Sequence, residues 1–269
     1  MNDWVSHPIT QGIIAPFVAA FITTKLLNHL RLSGLAVIAG FCSTVYLVAD
    51  FNFESLSSIR KIILSGLIAA VIGLLFDLIS SNRKSICYLF AIACSIVGLW
   101  MSWPILQQKE ILEATVYGIG IVIYMMWITI LVDNLATKPA RAGSAGMSLG
   151  IGIGVSASLS SSAVLGQLGL SIGVACSAYL LAQVISGRTY PCGRTFTLPI
   201  SMLCGLLMPA AIILSQTPWY CLPIVAAIPL VAHVPLPKIW SLRKQIVVLS
   251  ILTLIIATLT ISITLMQFQ

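Results

Sequence analysis

Three ionisable side chains lie in or beside long runs of hydrocarbon: Asp77 in GLLFDLISSNRKS, Asp133 in ILVDNLATK, and His233 between Pro229 and Pro235. A charge at the centre of a bilayer-spanning helix costs about 2.5 to 3.5 kcal/mol on insertion scales, and such groups often mark ion or substrate pathways. Carboxylates and an imidazole placed this way can exchange protons or pair with a charged solute. They are therefore the candidates for substrate or ion coupling. Each also has a plainer explanation. Asp77 is a few residues from the end of its run, where it can reach interfacial water or pair with Arg83 or Lys84; Asp133 ends its run; a lone histidine in a helix is often a satisfied structural group. The segment GRTYPCGRT adds Arg188 and Arg194, which either attract an anionic substrate or lipid headgroup or simply anchor the orientation of the chain.

Templates for enzymatic chemistry are missing. The sequence has no GxxxxGK[ST], no HExxH, no GxSxG and no clustered aspartates of the kind that bind magnesium pyrophosphates. Serines in GSAGMSLGIGIGVSASLSSS have no neighbouring histidine or lysine to activate them. Seven cysteines form no CxxC or other metal-ligand spacing. No cofactor and no metal are expected, and the cysteines read as small apolar packing groups.

The elements that must hold these residues are membrane helices. Apolar residues make up 59% of the 269 positions and charged residues 8%, against about 25% charged in an ordinary soluble domain. Helices of roughly 17 to 25 apolar residues cross a hydrocarbon core of about 30 Å. Ten such stretches divide the chain, at 8–24, 32–49, 62–80, 86–103, 112–132, 143–162, 167–186, 196–215, 218–236 and 246–266. The uncharged run 143–186 is too long for one span and divides near Ser160, Ser161, Ser162 and Gly166; a re-entrant hairpin is the alternative there. The fold class is all-α and polytopic. MNDWVSHPITQ has no basic n-region, so no removable signal peptide is expected.

The formal charge of +7 is topological, and no nucleic-acid partner is expected. Connections taken in order alternate in charge. The odd ones carry Lys25, Arg31, Arg83, Lys84, Lys138, Arg141, Arg188, Arg194, Lys238, Arg243 and Lys244, and the even ones only Arg60, Lys61 and Lys109. Short cytoplasmic loops are enriched in Lys and Arg. Odd connections are thus expected in the cytoplasm and both termini outside, in a plasma membrane of the bacterial inner-membrane kind. Trp4, Trp100, Trp103 and Trp219 at the outer ends agree with that orientation.

The chain divides into two five-helix membrane halves, 1–137 and 138–269. An odd number of spans per half forces the second to enter the membrane inverted, the arrangement of many secondary transporters. Faint self-similarity follows the same division: CSTVYLVA from Cys42 against CSAYLLA from Cys176, and GLLF from Gly73 against GLLM from Gly205. Gly146, Gly150 and Gly154, and then Gly169 and Gly173, recur every four residues, spacing that brings helices close or supplies a mobile pair. Pro199, Pro209, Pro223 and Pro229 kink the eighth and ninth spans, which either pack as kinked helices or flank a partly hydrated cavity.

In number and length of spans the chain resembles the drug and metabolite exporters, although it carries no motif of theirs, and the cytoplasmic termini that resemblance implies oppose the charge pattern. The expected function is secondary transport of a small solute by alternating access, within a lipid bilayer. Two alternatives stay open. One is a non-catalytic subunit or assembly factor with a homodimer or membrane-complex partner, and the other is an intramembrane lipid-modifying enzyme.

Overall fold

A computed structural model of the chain describes residues 7–30, 32–49, 57–79, 84–160, 162–237 and 239–267. Among the described residues there are ten α-helices and no strand: α1 (Ala15–Leu27), α2 (Ala36–Val48), α3 (Ser58–Ile79), α4 (Lys84–Leu106), α5 (Ile111–Asp133), α6 (Pro139–Leu159), α7 (Ala163–Ser186), α8 (Gly193–Ser215), α9 (Cys221–Ala232) and α10 (Leu242–Gln267). A π-helical turn, Thr10–Ile14, leads into α1, and a 3-10 turn, Ser33–Leu35, leads into α2. Eight helical segments are long and apolar enough to cross a membrane. The two shorter ones are Ser33–Val48 and Cys221–Ala232.

Local chemistry explains most boundaries. Pro139 opens α6 in its first turn, where the missing N–H costs nothing. The uncharged run does break at the serines, with α6 closing at Leu159 and the Ser162 hydroxyl accepting from the Leu165 amide at 3.4 Å to cap α7. Two full-length helices therefore stand where a re-entrant hairpin was the alternative. The ninth helix is shorter than its expected span of 218–236. Its 12 residues rise about 18 Å, well short of a hydrocarbon core of about 30 Å. Hydropathy alone extends this segment through Val234 and Leu236, but Pro235 and Pro237 end the hydrogen-bond ladder.

Helix α8 is the axis of the bundle: every residue from Arg194 to Ala211 is buried. Around it pack α3, α5 and α6, with α4, α7 and α2 in lesser contact. Helices α1 and α2 lie on α7, and α10 covers α6 and α9. The periphery is hydrocarbon. On α10, Val247, Ile251, Ile255 and Leu259 repeat every four residues and are all about half exposed. Such a stripe in water would be an aggregation surface; against lipid tails it is at home. The protein is an all-helical polytopic membrane protein.

The glycine spacing brings α6 and α7 into backbone contact. A Cβ on Gly150 would overlap the Gly173 amide nitrogen, and one on Gly154 the Leu170 amide nitrogen. In the other direction, a Cβ on Gly169 would come within 2.6 Å of Gly154 Cα, and one on Gly173 within 2.7 Å of the Ile151 nitrogen. Gly146 meets Cys176 Sγ in the same way. Hydroxyls join α6 to α10, with Ser148 donating to Thr253 at 2.8 Å and Ser144 and Ser250 3.2 Å apart. Small residues and hydroxyl pairs of this kind hold helices together where apolar burial gives no driving force.

Candidate functional site

Asp77 lies in the last turn of α3, on the stripe continued by Gly66, Ala70 and Gly73, which are buried. Gly73 faces the Arg194 carbonyl and Gly66 faces Leu203, so α3 runs tight against α8. This close approach carries the Asp77 carboxylate to the first turn of α8. Oδ1 accepts from the Arg194 amide at 2.9 Å, and Oδ2 accepts from the Thr195 amide at 2.8 Å and the Thr195 hydroxyl at 2.6 Å. The first amides of a helix have no partner within it and carry its positive dipole end. Asp77 thus caps a helix from another part of the chain, although the residue itself sits at the exposed rim. Gly193 makes room with a left-handed φ of 63°, and any side chain there would strike the carboxylate. Arg83 and the Lys84 side chain lie outside the described residues.

Asp133 closes α5 at the same end of the bundle. Its Oδ1 is 3.2 Å from Arg194 Nε, and the two residues are 7% and 8% exposed. The guanidinium also lies 5.6 Å from the centroid of the Phe90 ring. Beneath the pair, the Cys192 thiol donates to the Ala136 carbonyl at 2.7 Å and the Gly193 amide donates to the same oxygen at 3.1 Å. Two of the three expected candidates, Asp77 and Asp133, therefore converge on the start of α8. The arginine that unites them is the second of the two in GRTYPCGRT.

His233 stands apart, at the end of α9, with Nδ1 2.8 Å from the Pro229 carbonyl. Arg141 Nη1 donates to the Ala232 carbonyl at 3.0 Å, so both side chains close the carbonyl end of that helix. Pro223 falls in the first turn of α9 and Pro229 in its last. Pro199 and Pro209 lie within α8, which remains continuous through both.

Toward the opposite end, α5 and α9 are in contact. Trp127 Nε1 donates to the Ala226 carbonyl at 3.0 Å and pins them together. Beyond that point a cleft of about 490 Å3 opens, lined by Leu112, Val116, Gly120 and Ile121 of α5, Pro209, Ile212 and Ile213 of α8, and Trp219 and Leu222 at the head of α9. Polar character enters at Glu113 and Tyr117. Lys109 Nζ is 3.1 Å from Glu113 Oε2 and 4.7 Å from the centroid of the Tyr117 ring. Two turns below Tyr117, the buried Tyr124 hydroxyl has no hydrogen-bond partner among the described residues. Sequence reasoning took Glu113 and Trp219 only as markers of the outer side, and Tyr117 not at all. The available signal was the i,i+4 pairing of Lys109 with Glu113 at the head of an apolar helix.

No group of three or more His, Cys, Asp or Glu side chains that could hold a metal occurs among the described residues. No protein-family model matches the chain, and no curated protein shows significant similarity to it.

Proposed function

We propose that the protein is a small-solute secondary transporter that works by alternating access, in a conformation open at the Trp219 end and shut at the Arg194 end. One observation carries this reading. The cleft lies where α5 meets α8 and α9, and the opposite end of the same junction is held by Asp77 and Asp133 of the first half against Arg194 and Thr195 of the second. A solute path through the junction between halves, closed on one side at a time, is what alternating access requires.

The pairing of helices supports the inverted repeat behind this proposal. With spans one to five matched to six to ten, α2 and α3 pack against their own counterparts α7 and α8, as helices beside a two-fold axis in the membrane plane must. The α1–α2 and α4–α5 pairs recur as α6–α7 and α9–α10. Other pairs differ: α10 packs against α6 without comparable packing of α5 on α1. The same is true of α1 on α7 and α5 on α8, whose counterparts α6 on α2 and α10 on α3 do not pack comparably, so the matching of the halves is partial. On the charge alternation the Trp219 end faces outward. The test is counterflow in proteoliposomes loaded with a mixture of small solutes and read by mass spectrometry. Protein-dependent movement of at least one solute is expected. Failure to move any, together with stoichiometric copurification of a membrane subunit, would overturn transport in favour of a static scaffold, a reading that the close α6–α7 packing favours.

A further inference from the structure

We propose that the cleft between α5, α8 and α9 binds an apolar organic cation, and that the Lys109 ammonium occupies the place of the ligand's charge while the cleft is empty. The inference rests on the transporter reading for its biological use, but binding can be tested without it. The body of the cleft is hydrocarbon: Val116, Ile121, Ile212 and Leu222 offer no hydrogen bond and favour an apolar ligand. Among the described lining residues the one charged group is the Glu113 carboxylate. Beside it stands the face of Tyr117, and a carboxylate next to an aromatic face is a cation site.

Lys109 shows that a cation fits there. Its Nζ lies 3.1 Å from Glu113 Oε2 and 4.7 Å over the Tyr117 ring, with side-chain exposures of 31% for Lys109 and 57% for Glu113 at the mouth of the cleft. A lysine on a flexible stem can withdraw to water, which a ligand held by the cleft need not do. Glu113 is the acidic residue that lines the cleft, and Glu110 precedes it by three residues at the head of α5, in a chain whose net charge is +7. A carboxylate in an apolar lining repels an anion and attracts a cation. Trp219, 70% exposed at the opposite wall, supplies a second ring. The cleft also adjoins exposed Leu112 and Ile119 on the lipid face of α5, so an amphiphile can enter from the bilayer.

The test is equilibrium binding of radiolabelled tetraphenylphosphonium to the purified full-length chain in detergent. Uncharged triphenylphosphine oxide serves as competitor, and thermal unfolding confirms that each variant is folded. Saturable binding is expected, weakened about threefold to tenfold by Glu113→Gln. Lys109→Ala should tighten binding by a few-fold because it removes the internal competitor, and Val116→Trp should abolish it by filling the cleft. Binding unchanged by Glu113→Gln, binding weakened by Lys109→Ala, or equal competition by the uncharged compound would overturn the cation site and leave an acyl-chain groove. The transporter reading fails separately. Tetraphenylphosphonium binding with no protein-dependent flux in proteoliposomes leaves the site and removes transport. Flux of another solute, with tetraphenylphosphonium binding absent or indifferent to Glu113→Gln, leaves transport and removes the site.

Discussion

The Asp133 carboxylate and the Arg194 guanidinium meet at 3.2 Å across the contact of α5 with α8, 61 residues apart in the chain and both shielded from solvent. Isolating either charge is costly. Removing one member of a buried pair typically destabilises by about 3–5 kcal/mol, because the other loses its opposite charge in a poorly solvated site. Asp133→Asn and Arg194→Gln should each lower stability by that order in denaturant titration of the detergent-solubilised protein. Replacing both at once, as Asp133→Leu with Arg194→Met, should cost less than either alone. Additive losses would mean that the two side chains are not coupled.

Asp77 acts on the backbone of α8, so its substitutions should grade by what remains to accept a hydrogen bond. Asp77→Ala should cost about 0.5–2 kcal/mol, the range for a lost helix cap. Asp77→Asn keeps an acceptor oxygen and should cost less. Equal stability of all three proteins in thermal unfolding would show that the cap contributes nothing.

Two glycines provide a matched pair of opposite sign. Gly120 has open space around its Cβ position, whereas a Cβ at Gly150 overlaps the backbone of α7. Replacing a mid-helix glycine by alanine normally gains about 0.5–1 kcal/mol, so Gly120→Ala should stabilise. Gly150→Ala must push α6 from α7 and should lose about 1–3 kcal/mol, as overpacking does. The same sign for both would argue that α6 and α7 are not in backbone contact.

Much of this architecture was legible because a bilayer imposes a length on hydrocarbon. The fifth span was expected at 112–132 and is Ile111–Asp133; the break at the serines was located within a residue or two. Small-residue spacing on α6 and α7 pointed to their contact for the same reason, since four-residue periodicity fixes a helix face. The partners of Asp77 were hidden. They are chiefly backbone amides, which every residue carries and no motif marks. Asp133 and Arg194 were each noticed, but nothing in sequence spacing announces a pair formed between distant helices. The cleft was hidden too, because it forms among residues of three helices distant in the chain, α5, α8 and α9, whose meeting no local pattern announces.

Cys192 should be inert. Burial pushes its thiol up to about 12, despite the opposing effect of nearby backbone hydrogen bonds. A group shifted upward stays neutral well above the usual thiol range, so at pH 8 almost no thiolate is present to attack a maleimide. Peptide mapping after labelling should find Cys192 unmodified in the folded protein and modified after denaturation. Rapid labelling in the native state would show that this end of the bundle opens to water often.

Alternating access is tested most directly by distances measured at both ends of the bundle in one protein population. Spin labels at Leu78→Cys and Arg188→Cys report the Arg194 end, and labels at Ile111→Cys and Tyr220→Cys report the Trp219 end, each pair in a Cys42→Ala background. Pulsed double electron-electron resonance in lipid nanodiscs should give two populations per pair, with the Leu78–Arg188 distance lengthening in the state where the Ile111–Tyr220 distance shortens. Asp133→Asn should shift the balance toward that state by weakening the closed end. A single unchanging distance at both ends, in the native protein and in Asp133→Asn alike, would contradict alternating access.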